Sequence, residues 1–281
     1  PAGTMLDIGQ TIVSLVVSDS SGNITTVETF VTVLDKTPPT IISYRSAYMQ
    51  NIPQGGMGVV PDVTGTVVAS DNCNSITISQ DMQPGTEVQP GSYVIHITVS
   101  DSAGNTTSVT STLLVNSIPV AQSQQVNALE DETSAIELIG NDLESQVVGY
   151  YITSLPTNGV LYGYFDDITN YVEITTNMVG SILFTNVVFY TPNTNYFGID
   201  AFTYVVSDAY STSAVATVII NNENVYDKPV VAITNAGGSE NTLLRINLSD
   251  LAMSPDGRQL SYELVSSKTA RGGSVSIEDG V

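Results

Sequence analysis

A stretch of ten residues occurs twice in this chain of 281 residues, as VSDSSGNITT at 17–26 and as VSDSAGNTTS at 99–108. The offset is 82 residues, and the match runs without a gap from Gly3 and Gly85 onward over 31 positions, of which twelve are identical. Repetition at domain length is typical of a chain built from similar modules in series. Because the first copy begins in the middle of the repeat, we expect the sequence to be a piece of a longer array.

The repeated segment has the pattern of a β-hairpin. Apolar and polar side chains alternate over residues 11–18 and over the matching residues of the second copy, which predicts a half-buried strand. A second strand follows the turn sequence DSSGN or DSAGN. Gly22 and Gly104 suit a positive φ in this turn, and the carboxylates of Asp19 and Asp101 can accept backbone N–H groups there. We therefore interpret these two acids as turn residues rather than metal ligands.

Composition excludes several classes of function. The chain has 28 acidic residues against seven basic ones, a net charge of −21, and so lacks the clustered Lys and Arg that nucleic-acid binding requires. It has no run of about 18 apolar residues, so no membrane insertion is predicted. The chain has one cysteine (Cys73) and one histidine (His96). A disulfide framework, a Cys/His zinc site and a Ser-His-Asp triad are therefore not expected. The acidic excess points either to solubility outside a cell or to divalent-cation binding.

Prolines divide the chain. Each of the boundaries near 37, 117 and 227 places a proline just before a new strand, where its missing N–H is harmless. The predicted segments are 1–37, 38–117, 118–227 and 228–281. Strands in the third segment are predicted at 150–155, 159–165, 187–192, 200–208 and 211–220. We expect its core or half-core aromatic residues to be Tyr190, Phe197, Phe202 and Tyr204.

Residues 38–117 resemble the hyalin-repeat (HYR) module. The motifs that carry the resemblance are PPTI at the boundary, ASDNCNSITISQDMQPGT (69–86) and GSYVIHITVSDSAGNTT (91–107). Residues 1–37 are similar to the second half of another such module. The family usually pairs a cysteine like Cys73 with a second one after the GN turn. Val109 stands near that place here, so the resemblance implies that the usual bridge is absent.

Residues 118–227 resemble the cadherin-like repeats of large bacterial surface adhesins. The motifs are the acidic pair at 130–131, GND (140–142), SLPTNGVL (154–161), YTPNTNYFGIDAFTYVVSD (190–208) and the linker NVYDKP (224–229). Residues 228–281 are similar to the first part of a second copy. Both families imply an all-β fold of tandem immunoglobulin-like β-sandwich modules in an elongated array on an extracellular, cell-surface or secreted protein.

The second resemblance also implies calcium at the module junctions. Ca²⁺ takes about 6–8 oxygen ligands at roughly 2.3–2.6 Å, and loops gathered at one end of a sandwich can supply them from distant positions. The predicted ligands are Glu130, Asp131, Asp142, Glu144, Asp208 and Asp227. The second copy offers Glu240 and Asp256, with Asn241 in place of an acid. The other interpretation is that all these carboxylates are solvated turn and capping groups.

These observations predict a non-enzymatic extracellular structural and adhesion segment, a stalk whose junctions are stiffened by calcium. Its expected partners are neighbouring modules of the same chain or other copies of the chain. Three alternatives stay open. The chain could be a subunit of a self-assembling filament completed by strand addition between chains. It could be a module that binds surface glycans or proteins, or the accessory region of an enzyme whose catalytic domain lies elsewhere.

Overall fold

The computed structural model describes residues 5–72, 75–144, 147, 149–232, 234–240, 242–267 and 273–277. Cys73 lies outside the described residues. The chain forms two compact units, one of residues 1–118 with 142–146, the other of residues 119–141 with 147–281. The division into four modules stays a prediction.

The described part of the first unit consists of β-strands and a short 3₁₀ turn, Thr64–Thr66. Its described strands are β1 (Gly9–Ser18), β2 (Ile24–Val33), β3 (Thr40–Ser43), β4 (Ala47–Ile52), β5 (Gly58–Val59), β6 (Val68–Ser70), β7 (Ile76–Gln80), β8 (Glu87–Val88), β9 (Gly91–Asp101) and β10 (Thr106–Ser117).

A four-stranded sheet in the order β4-β10-β9-β7 forms the centre of this unit, and β4 runs parallel to β10. Strand pairs β3–β6 and β5–β8 accompany it. Alternate side chains of β9 and β10 point into a core that Val60, Val63 and Val67 complete. His96 lies on the opposite, exposed side of β9, as the alternation predicts.

The predicted hairpin forms in both copies. Strand β1 pairs with β2 as β9 pairs with β10, and Gly22 and Gly104 have φ of 87° and 90°. In the first turn, Asp19 Oδ1 accepts the N–H groups of Ser21 and Asn23 at 2.9 and 2.8 Å. The Asn23 side-chain amide, 2.6 Å from Asp19 Oδ2, is the main reason why the pKa of Asp19 lies below its usual value.

The second unit is also built of strands, with 3₁₀ turns at Thr176–Met178 and Leu248–Asp250. Its described strands are β11 (Val120–Ala121), β12 (Gln124–Leu129), β13 (Ser134–Glu137), β14 (Gly140–Asn141), β15 (Gly149–Ser154), β16 (Gly159–Gly163), β17 (Val172–Glu173), β18 (Ile182–Leu183), β19 (Val187–Pro192), β20 (Gly198–Ser207), β21 (Ala216–Glu223), β22 (Val230–Val231) and β23 (Ala252–Met253).

Two sheets enclose the core of this unit. One has the order β12-β21-β20-β15-β18, with β12 parallel to β21, and the other has the order β13-β19-β16-β17. Tyr190, Phe202 and Tyr204 are fully buried between them, as predicted. The prediction for Phe197 is wrong: its side chain is 53% exposed, and the residue lies outside the strands, directly before β20. The all-β sandwich expected from the sequence is confirmed.

Candidate metal centre

Three carboxylates of the second unit converge where two strand pairings meet. Glu130 directly follows β12, whose parallel pairing with β21 sets Leu129 opposite Glu223 and so brings Glu130 beside residues 224–227. Asp227 lies between β21 and β22, and Asp256 follows β23. Because β22 pairs antiparallel with β23, the chain before β22 and the chain after β23 lie side by side. One carboxylate oxygen from each acid lies within 4.8 Å of the other two.

Hydrogen bonds from the linker hold this acidic cluster (Glu130, Asp227 and Asp256) in place. The Val225 N–H donates to Glu130 Oε1 at 2.5 Å, and the Asp227 N–H donates to Asp256 Oδ2 at 2.9 Å. The Asn224 side-chain amide donates to Asp256 Oδ1 at 3.1 Å. The linker backbone therefore orients the carboxylates of Glu130 and Asp256.

Two carboxylate oxygens of the cluster have no hydrogen-bond donor among the described residues. Glu130 is only 1% exposed, and its Oε2 has no hydrogen-bond partner among the described residues. The buried Oδ2 of Asp227 likewise lacks one in the described part of the chain. A buried carboxylate oxygen without a donor is costly, and two like charges this close repel by roughly 3–4 kcal/mol at an effective dielectric constant of about 20. A cation between the three carboxylates would remove both penalties.

The donor set fits a hard divalent cation. All three candidate ligands are carboxylate oxygens, which suit Ca²⁺ or Mg²⁺, whereas sulfur and imidazole ligands are typical of zinc. Oxygens at about 2.3–2.6 Å from one Ca²⁺ stand up to roughly 5 Å apart, and the three oxygens satisfy that limit. Three carboxylates leave coordination positions for carbonyl oxygens and water.

A second group of three acids lies in the first unit. One oxygen each from Asp35, Asp71 and Asp101 lies within 4.8 Å of the others. Asp101 is buried, but its carboxylate already accepts the N–H groups of Ala103 and Asn105 and the Asn105 side-chain amide. Asp101 therefore serves the turn, as the sequence predicts, and also lies in an acidic group that the sequence analysis does not anticipate.

Among the described residues, the other predicted ligands are not members of the acidic cluster. Asp131 accepts the Asn195 N–H at 2.9 Å. Asp142 accepts the Glu144 N–H at 3.0 Å, and Glu144 accepts the Ser117 N–H. Asp208 is 5% exposed and accepts the N–H groups of the two residues at 210 and 211. Each of these four acids thus has a backbone donor. Asp142 and Asp208 accept from residues two or three positions further on, as the turn-and-cap interpretation expects, whereas Asp131 and Glu144 accept from distant segments.

Sequence reasoning predicts Glu130 and Asp227 as ligands and names Asp256 only as a candidate of the second copy. It misses Asp35 and Asp71 altogether. The usable signal for Asp35 is its position in a linker just before a proline-marked boundary, as for Asp227. The sequence contains no signal that distinguishes Asp71 from other acidic residues in loops.

Comparison with known proteins agrees with this architecture. Residues 116–221 match the family model described as "Bacterial Ig domain". The curated protein hyalin of Strongylocentrotus purpuratus is 31% identical over 115 residues, which are 40% of this chain and 10% of hyalin. The chain therefore spans about a tenth of that relative. The match is limited to residues 116–221, and the two-sheet core of the second unit agrees with an immunoglobulin-like fold there.

Similar solved structures have low identity to this chain. The extracellular domain of protocadherin gammaB4 is 14% identical, with 82% of this chain and 41% of that chain covered and a TM-score of 0.36. Three immunoglobulin domains of titin are 12% identical, with 73% and 72% covered and a TM-score of 0.34. An endo-fucoidan hydrolase of glycoside hydrolase family 107 is 15% identical, with 78% and 34% covered and a TM-score of 0.24. Separately, no helix in the described part of the chain is long and apolar enough to cross a membrane.

Proposed function

We propose that this chain is a structural and adhesion segment of a larger repetitive extracellular protein, and that the acidic cluster binds Ca²⁺. The observation that carries the proposal is the buried Glu130 with its unpartnered Oε2, beside Asp227 and Asp256. The HYR-like and cadherin-like motifs support the extracellular assignment, as do the match to the bacterial immunoglobulin domain and the excess of acidic residues.

Calcium would act mechanically at this site. The three ligands come from the end of β12, from the linker and from the loop after β23. One ion bound to all three would tie the linker to the strands on both sides of it. Bending at the linker would then require at least one Ca–O contact to break, so the ion would stiffen the segment. No side chain in this account performs chemistry, and the segment is proposed as non-enzymatic.

One observation favours a second candidate function, a binding module. Tyr162, Tyr164, Tyr171 and Phe189 form a cluster of edge-to-face and tilted rings with centroids 5.1–6.0 Å apart. Tyr171 is 51% exposed. Exposed aromatic side chains are typical of surfaces that bind glycans or proteins. Calcium binding remains the better supported proposal because it explains two otherwise unpartnered buried oxygens.

Thermal unfolding in Ca²⁺ tests the proposal. A ligand that binds only the folded state stabilises it by about 2.7 kcal/mol at one hundred times its Kd, and extracellular Ca²⁺ modules have Kd of about 10⁻⁴–10⁻³ M. We expect 10 mM Ca²⁺ to raise the Tm of the wild type by several degrees and Glu130→Gln to remove most of that rise. Gln keeps the acceptor for the Val225 N–H.

The matched control is Glu132→Gln, an exposed acid two residues away that should respond like the wild type. An equal Ca²⁺ response in both variants would exclude this cluster as the site.

A further inference from the structure

The hairpin β1–β2 exposes an apolar face. The corresponding face of β9–β10, the second copy of the hairpin, is buried. Leu15, Val17 and Val31 are 53, 61 and 37% exposed. At the 82-residue offset, the same positions of the second copy are Ile97, Val99 and Leu113, each 0% exposed. The hydrogen-bonded pairing and the turn are the same in both copies. The two hairpins therefore share their backbone pairing and differ in what packs on this face.

The second copy shows what covers such a face. Strand β7 pairs antiparallel with β9 and β4 pairs parallel with β10, so the hairpin gains a strand on each edge. Val60, Val63 and Val67 close the core over it. All these elements lie between residues 38 and 84. In the described part of the chain, β1 and β2 pair only with each other.

We propose that the face of β1–β2 carrying Leu15, Val17 and Val31 is a docking surface for a polypeptide half-module with the pattern of residues 38–84. The 82-residue offset sets the register. One strand of the partner pairs antiparallel with residues 15–19, as β7 does with residues 97–101, and another pairs parallel with residues 30–35, as β4 does with residues 112–117. This inference does not depend on calcium binding.

Two observations support a half-module as the partner and the side of β1–β2 with Leu15, Val17 and Val31 as the docking surface. A second copy of the chain is a poor occupant, because its own β4 and β7 are already paired with its own β10 and β9. The opposite face of the hairpin is also apolar, with Val16 65% exposed, but the matching Thr98 lies on the uncovered side of the complete module. An isolated two-stranded hairpin is at best marginally stable in water, so the gain from covering one face is large.

The test is amide hydrogen exchange of residues 9–33 in the full chain, with and without a peptide of residues 38–84 under reducing conditions. We expect saturable protection of at least tenfold in the wild type. Val17→Asp should abolish it. Val16→Asp, the same substitution one residue away on the opposite face, should leave it within about twofold of the wild type.

Three results would overturn the proposal. The first is no protection by the peptide, together with none when residues 38–84 are joined directly ahead of Gly3, where the effective concentration is in the millimolar range for short linkers. The second is equal loss of protection in the Val16→Asp and Val17→Asp variants. The third is self-association of the chain alone that Val17→Asp abolishes, since the occupant would then be a second copy.

Discussion

Tyr190 is a fully buried residue of the second unit whose hydroxyl belongs to a hydrogen-bond network. Its hydroxyl donates to Asp200 Oδ2 at 3.0 Å and accepts from the Asn222 side-chain amide at 3.2 Å. Asp200 also accepts the N–H groups of Thr157 and Asn158 at 3.0 and 2.9 Å, which fixes the loop before β16. The pKa of Tyr190 lies well above its usual value, mainly because burial disfavours the phenolate and also because the hydroxyl donates a hydrogen bond to the Asp200 carboxylate. The folded state therefore keeps this proton at pH values where the unfolded chain loses it.

This shift predicts how stability changes with pH. The unfolded tyrosine ionises near pH 10, so above that pH the unfolded state binds fewer protons than the folded state and the free energy of unfolding falls. Tyr190→Phe should lose about 1–3 kcal/mol at pH 7, since it leaves buried polar groups unpaired, and its stability should fall less steeply above pH 10. Urea denaturation at pH 7 and pH 10.5 measures both effects.

The control is Tyr171→Phe at an exposed position, which should follow the wild type. Parallel losses above pH 10 in Tyr190→Phe and the wild type would contradict this explanation.

The sequence predicts the role of a residue correctly where the residues that determine this role are close to it in the chain. The DSxGN turn requires one glycine with positive φ and one acid that accepts nearby N–H groups, and all of these lie within five residues. The candidate ligand set is not local. Glu130 and Asp256 are brought together only by the parallel pairing of β12 with β21 and by the pairing of β22 with β23. Because spacing along the chain does not reveal these pairings, the sequence assigned Asp142, Glu144 and Asp208 to the same kind of site.

At the scale of the element, the strands are predictable from alternation and the packing between them is not. The strand predicted at 187–192 matches β19 at both ends, since its side chains alternate between the core and the surface. Beside it, β16 begins at a glycine for a reason that only the structure shows. A Cβ on Gly159 would lie 2.4 Å from Tyr190 Cε2 and 2.7 Å from the Thr191 carbonyl oxygen. The close approach of β16 to β19 thus depends on a missing side chain.

Gly159→Ala should therefore destabilise the second unit. The methyl group meets a buried ring and a backbone oxygen, neither of which can move freely, and overpacking of this kind costs about 1–3 kcal/mol. Gly237→Ala is the matched control, because a Cβ there meets nothing within 4 Å. Chemical denaturation of both variants measures the difference. A Gly159→Ala variant as stable as Gly237→Ala would show that the two strands can separate without cost.

At the scale of the whole molecule, charge connects the fold to the proposed function. A net charge of −21 opposes compaction unless cations screen or bind the acids. Most acids whose partners are known accept N–H groups in turns, and these need no metal. Glu130 and Asp227 lie in one cluster, and each keeps a buried oxygen that no donor reaches in the described residues. The composition left solubility and cation binding open as explanations of the acidic excess, and the fold identifies the carboxylates that favour a cation.

Equilibrium dialysis against Ca²⁺ tests the central claim most directly. The metal-free wild type, Asp256→Asn and Asp250→Asn are compared at equal ionic strength, with Mg²⁺ as a second ion. Asp250 is an exposed acid close in sequence to Asp256 and outside the cluster. We predict that the wild type and Asp250→Asn bind the same number of Ca²⁺ ions per chain with Kd of about 10⁻⁴–10⁻³ M, and that Asp256→Asn binds one fewer. Identical binding curves for all three chains would contradict the assignment of a calcium site to Glu130, Asp227 and Asp256.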